Sequence, residues 1–286
     1  MTHAAAPDPS AAQQIRHAVR EVSPFIRHFA RFGFASQGLV YLVIGFLAAL
    51  TPVGVRREPT GWSGALATLL RQPAGWALLG VVALGLFAFG LWQMFRAVED
   101  PEFDGKRPSG IAKRIGYAFN ACVQLSLSAA AAAMAIGWRH VARGGDDRHV
   151  RDWTAWAMAH PFGRFVIGAV GVGILAYGVQ QVACGVFGKL DTRLALHELS
   201  RGVRAAVMAV SRFGVAARGG VFALLGTFLI RSAYNFNPSE ARGISGTLRT
   251  VAGEPYGKWL LGTCALGLIA YGMYDFVLAR YRMIRV

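Results

Sequence analysis

Six polar side chains stand at matched positions inside predominantly apolar stretches: Gln37, Gln93, Asn120, Gln181, Arg218 and Asp275. Their placement is regular. Gln37, Asn120 and Arg218 each lie six residues after an arginine (Arg31, Arg114 and Arg212), and Gln93, Gln181 and Asp275 each lie three residues after a glycine (Gly90, Gly178 and Gly272). Amides and a charge pair in such surroundings can do two things. They can bond across a helix interface, each worth about 0.6 kcal/mol in membranes, or they can line a polar site or pathway. A charge at the centre of a lipid-facing helix costs ~2.5–3.5 kcal/mol on insertion scales, so such residues face the protein interior and pair. The spacing therefore sets Gln37 against Gln93, Asn120 against Gln181, and Arg218 against Asp275. The last pair is expected as an ion pair.

Other reactive residue types form no constellation. His140, His149 and His160 share a loop with Asp146, Asp147 and Asp152, but their spacing matches no regular ligand motif. They are expected to be a solvated loop. Ser126 and Ser128 have no His or Lys at helical spacing to activate a nucleophile. No Gly-Lys-Ser/Thr follows the many glycines, so there is no phosphate loop. Cys122, Cys184 and Cys264 lie in apolar stretches without ligand spacing. The expectation is a non-catalytic protein with no metal and no cofactor.

The elements that must carry these residues are membrane spans. Of 286 residues 54% are hydrophobic and 16% charged, and the apolar ones come in six blocks: 33–52, 75–95, 116–137, 163–187, 213–233 and 257–279. Roughly 20 apolar residues are needed to cross the ~30 Å hydrocarbon layer. Residues 1–29 hold Arg16, Arg20 and Arg27 and no apolar core of a signal peptide. They are expected to be a cytoplasmic tail with a short amphipathic helix, starting near Ser10 and lying on the membrane surface. The net charge of +15 is scattered through short loops beside spans. Orientation and anionic lipid contacts account for it there, so nucleic acid is not a partner.

The blocks repeat. Arg31-Phe32-Gly33, Arg114-Ile115-Gly116 and Arg212-Phe213-Gly214 open alternate spans. Pro73-Ala74-Gly75, Pro161-Phe162-Gly163 and Pro255-Tyr256-Gly257 open the others, followed in register by Gly85, Gly173 and Gly267, with Phe89, Tyr177 and Tyr271 just before the last glycine of each. Small residues seven apart mark one face of each first span: Gly38 and Gly45, Ala121 and Ser128, Gly219 and Gly226. A short linker with helical character precedes each Pro-x-Gly, as in GWSGALATLLRQPAGW and GISGTLRTVAGEPYGKW; the second copy has lost the glycine. The fold class is all-α, a polytopic membrane protein of six transmembrane helices. They form three tandem hairpins over 30–100, 113–188 and 211–282, in parallel orientation, which suggests pseudo-three-fold symmetry about the membrane normal.

These residues resemble the bacterial membrane protein family called domain of unknown function 1206. The resemblance rests on R-x-G-x-x-x-[RQN]-G in the first helix and Pro-x-Gly with spaced glycines in the second. The third copy, SRFGVAARGGVFALLG, is nearest the pattern and the second, KRIGYAFNACVQLSLS, departs most. The resemblance implies three tandem two-helix repeats and no established activity.

Basic residues near span ends are more numerous on the side of the termini, which places both termini in the cytoplasm and the protein in the plasma membrane. Trp62, Trp76, Trp138, Trp153, Trp156 and Trp259 fall at the opposite boundary. Two function classes follow. One is a membrane protein that binds lipids, anionic ones included, a membrane protein partner or copies of itself. The other is a channel or carrier for a small anionic or neutral solute using the polar seam around Arg218.

Overall fold

Within lipid, backbone groups must be satisfied inside the segment, so long apolar stretches fold as helices. The computed structural model describes residues 9–55, 58–99, 108–138, 145–188 and 200–281. Nine α-helices and a short 3-10 turn account for nearly all of these residues. In chain order they are α1 (Pro9–Ala49), α2 (Trp62–Leu70), α3 (Gly75–Glu99), α4 (Pro108–Ala135), α5 (Gly145–Met158), α6 (Gly163–Phe187), α7 (Arg201–Tyr234), α8 (Ile244–Gly253) and α9 (Gly257–Tyr281). Six of them are long and apolar enough to cross a membrane: α1, α3, α4, α6, α7 and α9. The protein is a multi-pass membrane protein. His140 and some of the basic residues that bear on orientation, among them Arg56, Arg57, Lys106, Arg107, Lys189 and Arg193, lie outside the described residues.

One boundary differs from the sequence reading. The amphipathic segment is not a separate surface helix, because α1 runs unbroken for 41 residues from Pro9 into the first span. Pro24 removes one backbone donor there, yet no glycine interrupts the segment before Gly33 and the helix continues past it.

The Pro-x-Gly motif makes one turn three times. Gly75, Gly163 and Gly257 donate their amides back to the carbonyls of Gln72, His160 and Glu254 at 2.8, 3.0 and 2.7 Å. That is a turn with proline at its second position and a left-handed residue at its third: Ala74 at φ 55°, Phe162 at 63° and Tyr256 at 63°. The following glycine has no room for a side chain, since a Cβ there would strike the carbonyl end of α2, α5 or α8. The motif thus folds each linker helix tightly against the start of the next span.

The spans pack side by side in the order α4, α3, α1, α9, α7, α6. The most extensive contacts join different repeats: α6 with α7, α3 with α4, and α9 with α1. In each of these the seven-residue small stripe meets the same stretch of the partner. A Cβ on Gly219 would lie 2.7 Å from the Gly178 carbonyl oxygen, and one on Gly38 2.8 Å from that of Gly272. Two turns deeper, Gly226 meets the Gly171 carbonyl, Gly45 that of Ala265, and the Ser128 hydroxyl donates to that of Ala83 at 2.8 Å. Small residues let the backbones approach, and the dispersion gained holds helices together where lipid supplies no hydrophobic drive.

Candidate functional site

Contacts within the hairpins separate the middle repeat from its neighbours. In the first, Gly33 faces Phe89, whose Cβ a side chain at 33 would meet at 2.6 Å, and Gly85 accommodates Ser36. In the third, Gly214 faces the Tyr271 backbone and Gly267 accommodates Ala217. The equivalent residues of the second are Gly116, Tyr177, Gly173 and Phe119. There α4 and α6 hardly touch, and nothing lies within 4 Å of a Cβ built on Gly116 or Gly173. The sequence gives the steric reason. Phe119 stands where the closed copies have serine and alanine, and a phenyl ring cannot occupy the space that Ser36 and Ala217 already fill to contact. Buried residues make up 28% and 22% of the apolar windows of α4 and α6, against 61% and 56% for α1 and α3. Helices α4 and α6 thus stand apart across a lateral cleft; Ile115, Phe119 and Val123 of α4 and Val172 of α6 are exposed, and Tyr177 of α6 is half-buried.

At the inner side of this cleft lies Arg218, only 3% exposed. Its Nε donates to the Tyr41 hydroxyl at 2.6 Å and its Nη1 to the Tyr177 hydroxyl at 3.0 Å. Gln181 donates its side-chain amide to the same Tyr177 oxygen at 3.0 Å. The guanidinium carbon stands over four rings, 4.5 Å from the centroid of Phe222, 4.6 Å from Tyr271, 5.3 Å from Tyr41 and 5.6 Å from Tyr177. Helices α1, α6, α7 and α9 therefore converge on one cation.

The expected side-chain pairs do not form. Arg218 is taken up by tyrosine hydroxyls and makes no ion pair with Asp275. Asp275 is buried in the other interface of α9, its Cβ against Gly38 of α1. Gln93 accepts from Arg96 Nη1 at 2.8 Å, one turn along its own helix, and so does not pair with Gln37. Gln37 is buried with its Oε1 unbonded. Asn120 and Gln181, both half-buried, do not bond each other; Gln181 donates to Tyr177 instead. The spacing paired residues within hairpins, whereas the most extensive contacts join different hairpins.

Other residues gain roles the spacing did not suggest. Asp146 and Asp147, expected in a solvated loop, bind the N-termini of two linker helices. Asp146 accepts from the Trp62 and Ser63 amides, both at 2.7 Å, and from the Ser63 hydroxyl at 2.6 Å. Asp147 accepts from the Gly243 and Gly246 amides at 2.8 and 2.9 Å. The first helical turn leaves backbone donors unsatisfied and carries partial positive charge, which a carboxylate answers. Gly61, Gly243 and Gly246 leave the space in which these carboxylates sit. The arginine of R-x-G also finds its purpose in two copies. Arg114 donates to the carbonyls of Ala97 and Val98 at the end of α3, and Arg212 to that of Gly188 at the end of α6. Each caps the second helix of the preceding repeat. Loss of the linker glycine in the second copy was the available signal for the aspartates. Of the boundary tryptophans, Trp76, Trp138, Trp153, Trp156 and Trp259 are exposed as a membrane-interface belt requires, while Trp62 packs edge-on against Tyr41.

No cluster of metal-ligating side chains occurs among the described residues. What the site offers is a buried cation, phenolic hydroxyls, two half-buried amides and an apolar cleft beside them. It can hold a polar group next to a hydrocarbon chain.

The sequence profile of the Domain of Unknown Function DUF1206 matches three stretches, 32–100, 115–188 and 213–282. The chain is also similar to the uncharacterized protein YxxB of Bacillus subtilis (strain 168), 32% identical over 263 residues that cover 92% of this chain and 94% of that one. No solved structure matches.

Proposed function

The chain belongs to the family of Domain of Unknown Function DUF1206, and on that premise we propose that it is a non-catalytic membrane protein that holds a lipid in the cleft of its middle repeat. One observation carries this reading: α4 and α6 do not close, although the same pattern closes in the other two hairpins. In a bilayer such a gap is filled by acyl chains, because neither vacuum nor water is stable between apolar walls. Phe119 holds it open from within, so the gap is written into the sequence. The enclosure of Arg218 by four rings favours binding over a solute pathway through the centre. We place the protein in the plasma membrane with both termini cytoplasmic, an orientation supported by the basic residues beside the spans.

A photoreactive phenylalanine analogue introduced at Phe119, and at the exposed Phe46 of α1 as a control, tests the reading. After exhaustive detergent exchange, lipid adducts are expected at 119 and not at 46. Equal yields at both, or none at 119, would refute a retained lipid.

A further inference from the structure

The cleft is not uniformly apolar. Asn120, Tyr177 and Gln181 are all half-buried; Gln181 bonds Tyr177, Arg218 stands directly behind it, and Asn120 holds the matching register position on α4. Asn120 stands at the register position of Gln37 and Arg218, both buried; it is accessible because α6 does not cover α4. Its side chain makes no hydrogen bond to any described residue. Tyr177 accepts from both Arg218 and Gln181, which occupies its oxygen and leaves the phenolic proton to donate outward. Arg218 uses Nε and Nη1 on neutral hydroxyls, and among the described residues no carboxylate stands within salt-bridge distance of it. Rings and hydroxyls solvate this charge directly, and the nearest buried carboxylate, Asp275, acts on it only from beyond the Tyr41 and Tyr271 rings, outside salt-bridge distance. A buried cation in hydrocarbon favours an anion beside it strongly.

Resting on the lipid reading above, we propose that the bound lipid is anionic. Its acidic headgroup is held at the polar end of the α4/α6 cleft by the Tyr177 hydroxyl and the Asn120 amide, with the Arg218 guanidinium supplying the countercharge from behind. Its acyl chains lie along Ile115, Phe119, Val123 and Val172. The occupant is an amphiphile and not a free anion because the polar groups occupy one end of an otherwise apolar slot that opens sideways to the bilayer. Position 218 lies six residues inside Arg212, about 9 Å along the axis from the membrane edge, shallow enough for a headgroup to reach.

The full chain in detergent, exchanged against equimolar phosphatidylglycerol and phosphatidylcholine, is the assay, with retained lipid counted by native mass spectrometry. Phosphatidylglycerol is expected to be retained about tenfold over phosphatidylcholine, the effect of one charge-assisted contact. Arg218→Gln should erase that preference while leaving adducts at position 119. Tyr177→Phe, which keeps the ring and removes only the hydroxyl, should lower it severalfold and provides the reading if Arg218→Gln does not fold. Equal retention of both lipids, or an unchanged preference in both variants, overturns the anionic headgroup while the cleft reading stands. Loss of adducts at 119 with either lipid overturns the cleft itself. Displacement by inorganic phosphate would mean a free-anion site, and protein–protein adducts at 119 a second copy of the chain; either sinks the proposal.

Discussion

The first and third hairpins use Gly33 and Gly214 to bring their two spans into backbone contact, and the second keeps the same glycine, Gly116, with nothing opposite it. All three hairpins follow one pattern of arginine, glycine and proline, so the pattern alone does not close a hairpin. A single position decides it, three residues past the glycine: Ser36, Phe119 or Ala217. The linker end reverses the roles. There the second copy supplies Asp146 and Asp147 and the other two supply the helix ends that receive them. The middle repeat thus ties the assembly together at one membrane boundary and leaves it open within the bilayer. Duplicated units need not do the same work once their neighbours differ.

The sharpest way to break this contrast is to add a methyl group to equivalent glycines. Gly214→Ala drives Cβ into the Tyr271 backbone and should cost about 2–3 kcal/mol, whereas Gly116→Ala should stay within about 0.5 kcal/mol. Thermal unfolding in one detergent compares them, and equal losses would mean that the middle hairpin is closed. Next in size is Asp146→Ala, which strands two backbone amides of α2 and should cost about 2 kcal/mol. Asp152→Ala, on an exposed position of the same helix, is the control and should be neutral. Arg212→Gln removes the cap from the last carbonyl beyond α6 and should cost about 1 kcal/mol. Because it acts between repeats, it should add to Gly214→Ala only if the two sites are independent. The smallest effect probes what the copies share. Tyr256→Gly relieves a left-handed residue and should stabilise by about 0.5–1 kcal/mol, and Phe162→Gly by the same amount. A gain in one copy and a loss in the other would show that the turns are not equivalent.

The six spans, the three copies and the turns between linker and span were legible because each depends on local chemistry. Apolar length makes a span, Pro-x-Gly makes a turn, and small residues seven apart make a packing stripe, whatever surrounds them. Arg218 was legible as a buried charge for the same reason, since no lipid-facing helix tolerates it cheaply. Its partners were not. Equal depth in the sequence offers every helix of the bundle as a neighbour; α7 does pack on α9, but there Arg218 meets the Tyr271 ring, one turn before Asp275. The stripes of glycine and alanine select the adjacent repeat instead, which turns Arg218 toward Tyr41 and Tyr177 and Asp275 toward Gly38.

Asp146 and Asp147 read as loop residues because capping in trans leaves no periodic trace: the Trp62 amide lies 84 residues before Asp146 and the Gly243 amide 96 after Asp147. Phe119 was visible as an apolar residue in an apolar span, and nothing local marks it as a wedge. Its effect shows only by comparison with Ser36 and Ala217, which the matching glycines Gly85 and Gly267 accommodate. The sequence by itself therefore determined the elements, their number and the depth of each polar group. Which helices touch, and so which polar groups meet and where the bundle stays open, was decided by side-chain volume at contacts between residues far apart in the chain.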